Sequence, residues 1–169
     1  MTRIEGRTYL DELIVLRDAF ENEERPDEGD DEYSNWGEDR VRPNFDVLRL
    51  MICLGDEEEV IGSMTWHEVF YGPTKGSRAW NIGIGLVPAA RGRGIGSQAQ
   101  FMLAQHLFAT SDARRVEAST DITNLPEQRA LERAGFTREG VLRQAQQRAD
   151  GQHDLFSYSI TRDDLVRAD

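Results

Sequence analysis

The sequence predicts a mixed α+β fold built on a central, mostly antiparallel sheet. Three observations carry this. Short apolar runs divided by turn residues fill the first half of the chain. A helical stripe then leads to a strand at 115–120, which asks for one buried crossover. Two further strand patterns, 137–148 and 153–161, meet at Ala149-Asp150-Gly151-Gln152, where Asp-Gly signals a tight hairpin.

The elements follow in order. Residues 10–18, LDELIVLRD, hold the run Ile14-Val15-Leu16 and read as a first strand, with an amphipathic helix as the close alternative. The next stretch carries Glu21, Glu23, Glu24, Asp27, Glu28, Asp30, Asp31 and Glu32, eight carboxylates in twelve residues, broken by Pro26 and Gly29. Like charge at that density predicts a solvated, mobile segment, extended here to 21–45. Its functional alternative is an electrostatic funnel for a cation. Residues 46–54 and 60–70 form a predicted hairpin around the polar turn Asp56–Glu59, and 79–87 is a third strand ended by Pro88. Ala99, Met102, Leu103, His106 and Leu107 repeat on one helical face. A second helix runs from about Pro126 to Ala134, with Pro suited to a first turn and Gly135 to the position past the end. Neither a repeat nor a linker divides residues 1–169, so a single domain is predicted.

Composition narrows the function. Twenty basic against thirty-one acidic residues leave a net charge of −11, and only Lys75 is a lysine. That balance argues against nucleic acid as partner and favours cations. No apolar run nears the ~18 residues a membrane helix needs. The N-terminus lacks a signal-peptide core, and the lone Cys53 excludes an internal disulfide or a multi-cysteine metal site. The expectation is a soluble, cytoplasmic protein with no metal, a monomer or homodimer. Cys53 reads as core.

The strongest chemical signal is Val87-Pro88-Ala89-Ala90-Arg91-Gly92-Arg93-Gly94-Ile95-Gly96-Ser97. A strand ends, a glycine-rich turn follows and a helix begins. Glycines let the backbone approach a ligand. The first helical N–H groups lack internal partners, and the helix dipole favours an anion there. Arg91 and Arg93 add forked donors suited to phosphate. The P-loop pattern fails because no Lys follows Gly96. The dinucleotide pattern fails because Ser97 and Pro88 occupy its third glycine position. A plain Gly/Arg surface loop is the bland alternative.

The run Ile82-Gly83-Ile84-Gly85-Leu86-Val87-Pro88-Ala89-Ala90-Arg91-Gly92-Arg93-Gly94-Ile95-Gly96 resembles motif A of the GCN5-related N-acetyltransferase (GNAT) superfamily, with Arg91, Gly94 and Gly96 at its R/Q-x-x-G-x-G/A positions. Downstream, Asn124 followed by Glu-Arg-Ala-Gly135-Phe136 resembles the family's Asn-to-Gly-Phe helix. Glu139–Arg143 and Asp154–Ser159 resemble the RimJ/RimL-like subgroup that acetylates ribosomal-protein N-termini. The match covers roughly 46–161. It implies the GNAT fold, a twisted sheet with helices on both faces and a splayed strand pair that binds acyl-CoA.

The resemblance further implies acetyl-CoA as co-substrate. Its pyrophosphate would rest on the amides of Arg91, Gly92, Arg93, Gly94, Ile95, Gly96 and Ser97. Its pantetheine arm would pair with the backbone of Leu86 and Val87 and bond to Asn124, a residue equally able to cap its helix. A primary amine would attack the thioester directly. The acceptor would be a protein N-terminus or a small cationic amine, an antibiotic among them. The Val87 N–H would stabilise the oxyanion. The family's usual acid position holds Leu131, and two subgroup positions hold Glu127 and Gln146 in place of Ser and Glu. A base must therefore come from elsewhere: His67, Glu68, Glu117 or Glu127. Strand alternation leaves open which side Glu117 faces. His106 reads as core or edge, and His153 as surface. Trp36, Trp66, Phe70 and Tyr71 are candidate acceptor-pocket residues. Two alternatives remain at this level: a non-catalytic acyl-CoA-binding module, and a protein using the Arg91–Gly96 turn for another nucleotide.

Overall fold

The structure, a computed structural model, describes residues 1–29, 32–38 and 40–166. Asp30 and Asp31 of the acidic run lie outside the described residues, as do 167–169 at the end of the expected domain. Eight strands form one sheet: β1 Arg3–Arg7, β2 Leu13–Arg17, β3 Leu48–Leu54, β4 Glu59–Phe70, β5 Arg78–Leu86, β6 Arg115–Asp121, β7 Thr137–Arg148 and β8 Gly151–Thr161. The helices are α1 Ile95–Thr110, α2 Leu125–Arg133 and the short α3 Arg162–Val166. The strand order is β1-β2-β3-β4-β5-β6-β8-β7. Neighbours pair antiparallel except β5 and β6, which are parallel and joined through α1. This is the mixed α+β class the sequence predicts. β1 and α3 are additions to it: Arg3–Arg7 has too few apolar residues to announce a strand, and α3 is a single short segment.

The 10–18 segment is a strand. Ile14, Val15 and Leu16 are all fully buried, so the sheet is covered on both faces here. That is why the run shows no alternation. Register sorts the remaining residues by face. Ile14, Leu16, Leu50, Ile52, Met64, Trp66, Ile82, Val116, Ala118, Tyr158 and Ile160 share one side. They pack with Ala99, Met102, Leu103 and Leu107 of α1 and Leu131 of α2, and Leu165 of α3 lies against them. The helices therefore sit together on one face, not on both as the resemblance implies. The reason is local. Between β2 and β3, where a helical cover for the second face would have to arise, Pro26, Gly29 and crowded carboxylates disfavour a helix.

That second face has a small apolar cluster, Val15, Met51 and Cys53. Cys53 is core as expected, and burial pushes its thiol up. Beside it Arg17 is buried. Its guanidinium donates to Glu23 at 2.7 and 2.8 Å and to Glu58 at 2.9 Å, and stacks on Phe20. The acidic segment thus supplies the counter-charge that lets an arginine be buried. The rest of this face mixes polar side chains with Val69, Ala79 and Leu155.

Helix boundaries follow their caps. Asn124 Oδ1 accepts the Glu127 N–H at 3.2 Å and begins α2, with Pro126 in its first turn. At the other end Gly135 takes φ +88°, and the Phe136 N–H reaches back to the Leu131 carbonyl at 3.0 Å. His106 is half-buried at the edge of the α1 stripe.

Candidate active site

The sheet opens at one place. β5 and β6 pair only at Trp80 with Val116 and Asn81 with Glu117. Beyond that point β5 runs on to Leu86 and β6 to Asp121 without pairing each other, so the two strands form a V. The Val87 N–H donates to the Ile61 carbonyl on β4 at 2.9 Å. Alternation along an antiparallel pair then turns the backbone groups of Ile82, Ile84 and Leu86 the other way, into the V. This corrects the expectation for Val87. Its N–H is held by Ile61 and its carbonyl accepts the Ala90 N–H at 3.0 Å, so neither group faces the gap. The donor that does is Leu86.

The open end of the V is the glycine-rich corner. A 3-10 turn, Pro88–Ala90, leads into it. Gly92 at φ +74° and Gly94 at φ +80° are left-handed, a conformation an L side chain resists. Gly94 is the N-cap of α1, and no acidic residue lies in the first turn. The N–H groups of Ile95, Gly96 and Ser97 therefore begin the helix without helical acceptors. The Ser97 hydroxyl turns inward to the Gly94 carbonyl at 3.0 Å. Open space stands where a Gly92 Cβ would be, so a ligand can approach the backbone there. The two arginines are placed differently from the expected phosphate forks. Arg91 donates to the Leu86 carbonyl at 3.1 Å and to the Glu28 carbonyl at 2.7 Å, and Arg93 pairs with Glu12. The corner's anion-binding capacity thus rests on main-chain amides, with the guanidinium groups bracing the turn. Asn124 is close to the end of β6, its Oδ1 engaged in the α2 cap.

The closed end of the V carries the titratable groups. Register places His67, Asn81, Glu117 and Ser159 in one row across β4, β5, β6 and β8, on the face without helices. Glu117 is 8% exposed and faces away from Val116 and Ala118. The Tyr71 hydroxyl donates to its Oε2 at 2.6 Å and Arg115 Nε at 3.0 Å, while Oε1 has only Asn81 Nδ2 at 3.5 Å. The bond to Glu117, then burial, raises the Tyr71 pKa. Arg115 also forks onto Glu139, whose pKa it lowers. His67 stacks on Phe45 with centroids 4.3 Å apart. Burial lowers its pKa, against the opposing pull of Glu117, and so favours the neutral ring.

Glu68 is not part of this group. It sits opposite Trp80, on the helix-covered side, and bonds to Arg78 at 3.0 Å. One step along a strand reverses the side-chain direction, and that step separates Glu68 from His67. Trp66 is likewise on the helix side, in the core. Phe70 is exposed. Tyr71 and Trp36 lie on the polar side.

Farther along that face described parts of the acidic segment touch both arms of the V. Glu28 accepts the Ser63 hydroxyl at 2.8 Å and occupies the space a side chain at Gly85 would need. At the β6 arm, the Tyr33 hydroxyl donates to the Thr123 carbonyl at 3.2 Å and the Asn35 carbonyl accepts the Ala149 N–H at 3.0 Å. Trp36 and Tyr33 stand over Arg148. Arg148 is 3% exposed and bonds to buried Asp121 at 2.8 Å. Burial alone would raise the Asp121 pKa, but Thr123, His153 and Arg148 bring it to about 2. His153 is not a plain surface residue: its ring is held between Asp150 and Asp121, both at 2.8 Å, and these bonds raise its pKa. Asn81, Arg115 and Asp121 carry no sequence signal, and the bonds of Tyr71 and Glu139 to Glu117 and Arg115 have none either, because the pairing of distant strands and the turn after β4 create these contacts.

Comparison with known proteins agrees with this geometry. The family model of the Acetyltransferase (GNAT) domain matches residues 10–137. An uncharacterized N-acetyltransferase, YnaD, of Bacillus subtilis (strain 168) is 23% identical over 116 residues, which is 69% of this chain and 65% of that protein, just under two thirds of its length. Among solved structures, Mycobacterium smegmatis RimJ in complex with CoA-disulfide is 26% identical, with 72% of this chain and 60% of that one covered and a TM-score of 0.62. A probable acetyltransferase of the GNAT family from Chromobacterium violaceum ATCC 12472 shares the fold over 97% of this chain and 88% of its own, at 21% identity and a TM-score of 0.70. The ribosomal-protein-S5-alanine acetyltransferase of Vibrio fischeri matches 70% of this chain and 63% of its own at 20% identity, with a TM-score of 0.61. With its family domain spanning more than half the sequence and a parallel strand pair that parts above a glycine-rich helix start, the chain belongs to the GNAT acetyltransferase family.

Proposed function

We propose that the protein transfers an acetyl group from acetyl-CoA to a primary amine, with both substrates bound at once. The observation that carries this reading is the V itself, which has amide donors at its open end and a buried, hydrogen-bonded carboxylate at its closed end. Acetyl-CoA supplies an activated acetyl thioester. The N–H groups of Gly92 to Ser97 would hold its diphosphate. The exposed backbone edge of Ile84 and Leu86 would pair with its arm, as an added strand would, and Asn124 would offer its side-chain N–H groups.

The acceptor amine enters from the helix-free face. Glu117 is the base of this reading. Tyr71 and Arg115 hold Oε2, leaving Oε1 turned toward Asn81 and the fork of the V. A cationic ammonium is drawn to it, and its proton passes to Glu117 directly or through one water. Neutral His67 in the same row is a second acceptor for that proton. The Leu86 N–H is the donor turned toward the reacting carbonyl. Holding both partners at one fork accounts for much of the expected acceleration. The acidic strap and the net charge of −11 favour a cationic acceptor, either a protein N-terminus or a small amine.

The test is a thiol-release assay with acetyl-CoA over polyamines, aminoglycosides, aminoacyl nucleotides and basic peptides. At least one cationic amine is expected to release CoA thiol, and Glu117→Gln to cut the rate. Tight acetyl-CoA binding with no release from any amine would contradict the reading and leave a coenzyme-binding module.

A further inference from the structure

One polar contact beside the glycine-rich corner, between a buried and a half-buried side chain, is incomplete. The Asn124 N–H is taken by the Asp121 carbonyl at 3.0 Å, so Glu127, three residues on, does not fold back to it as in a capping box. Its carboxyl turns to α1, where Gln100 Nε2 donates to Oε1 at 2.8 Å. Gln100 is 1% exposed, and its own Oε1 is buried with no hydrogen-bond partner. A buried oxygen without a donor is costly. An ionised Glu127 has no hydrogen to offer it. A protonated Glu127 does, and an acid facing an amide closes a ring in which both Gln100 groups are satisfied.

The surroundings agree. A carboxylate in the first turn of a helix normally gains from the dipole, yet burial prevails over the Gln100 bond and pushes Glu127 up to about 7. β8 presents Tyr158, whose hydroxyl donates to Glu132 of α2 at 3.2 Å. From α1 come Gly96 and Gln100 and from β5 Ile84 and Leu86, none of them charged, while β7 carries Arg138 beside Tyr158, its guanidinium over Phe156 and giving Glu127 no hydrogen bond. Gly96, one turn before Gln100, has Ala130 of α2, Ile84 and Leu86 as its neighbours. The Gln100–Glu127 contact therefore borders the corner assigned above to the coenzyme diphosphate.

We infer that Glu127 is a proton-dependent coenzyme-binding residue: paired with Gln100 as a neutral acid it admits acyl-CoA, and once ionised it opposes the incoming diphosphate. This rests on the acetyl-CoA reading of the corner. No sequence motif points to it, because Gln100 and Glu127 meet only through the crossing of α1 and α2.

Titration calorimetry of acetyl-CoA with the full chain tests this, from pH 7 to 8.5, in two buffers of different ionisation heat. The wild type should lose about tenfold in affinity over that range and take up a proton on binding. Glu127→Gln, which keeps a donor for Gln100, should bind with little pH dependence, more tightly than wild type at pH 8.5, and without proton uptake. The coenzyme's own phosphate titrates identically in both proteins. An equal pH slope in the two, or a flat wild type, would overturn the linkage while leaving the coenzyme site standing. Absence of binding by either protein at every pH would overturn the coenzyme reading and the linkage with it. The carboxyl carbon shift of Glu127 in the protein alone gives a separate check: a midpoint near 7 supports the acid–amide pair, and a midpoint in the ordinary carboxylate range overturns it.

Discussion

The two ends of the V are built from different materials. The open end is main chain: Gly92 and Gly94 in left-handed conformations, three helical N–H groups, and the unpaired edge of β5. Its arginines are turned to Glu12, Glu28 and Leu86. The closed end is side chain: Glu117, Tyr71, Asn81, Arg115 and His67, drawn from three strands and a turn. A backbone site should tolerate loss of its neighbouring charges but not a change of backbone angle. A side-chain site should show the reverse.

The largest expected effect on stability falls on the side-chain network at the tip of the β6 arm. Arg148→Ala removes the buried guanidinium from Asp121, leaving it His153 and Thr123, and should lower stability by about 3 kcal/mol in urea unfolding. Against burial, bonds from Thr123 and His153 and the Arg148 charge hold the Asp121 pKa at about 2, below its unfolded value, so their joint stabilisation is present above that value and is lost as pH falls toward 2, with Arg148 responsible for part of it. In Arg148→Ala the acid limb of the stability curve should flatten accordingly.

Next comes the chemistry. Glu117→Gln should reduce kcat by roughly 10²–10³-fold, about 3–4 kcal/mol, while acetyl-CoA affinity in calorimetry stays within about twofold. A parallel loss of coenzyme affinity would erase the distinction between the two ends.

Glu127 gives an effect of opposite pH sign. A carboxyl whose folded pKa is about 7 binds its proton more tightly in the native state than unfolded. Its stability contribution is greatest below the unfolded value and declines as pH rises through 7. Glu127→Gln should therefore be more stable than wild type at pH 8, by about 2–3 kcal/mol, and equal to it at pH 4. Thermal unfolding at the two pH values checks this.

Two smaller effects complete the contrast at the open end. Gly94→Val forces a β-branched residue to φ +80° and should weaken acetyl-CoA binding about tenfold or more. Arg93→Ala removes a guanidinium already neutralised by Glu12 and should change that affinity by less than about threefold. If Arg93→Ala proves worse than Gly94→Val, side chains carry the open end as well.

The same difference explains what the sequence could disclose. The open end is contiguous in the chain, so its glycines, strand and helix start are legible in the run from Ile82 to Ser97. The strands from β2 onward and both long helices are legible for a similar reason: apolar periodicity and local caps, such as Asn124 and Gly135, specify them, whereas β1 has too few apolar residues to show. Glu117 was found without its direction, since alternation gives a period but not a face. His67 and Glu68 were indistinguishable until β4 was paired with β5. The direction of the Val87 N–H is not legible in the sequence, because register with Ile61 decides which way an amide points. Glu23 and Glu28 read as solvent-facing charge, yet they pair with Arg17 and Ser63 through contacts set by the tertiary fold. No sequence pattern reports a strap whose anchors lie on β4, β6 and the turn between β7 and β8.

The central claim, that main-chain amides at the turn from β5 into α1 hold the coenzyme, is tested most directly by amide chemical shifts during an acetyl-CoA titration. The account predicts the largest shifts at Gly92 to Ser97 and Leu86, with Val87 little changed because its N–H stays on Ile61. Saturable shifts confined to another part of the sheet, with the Gly92–Ser97 amides unmoved, would contradict it.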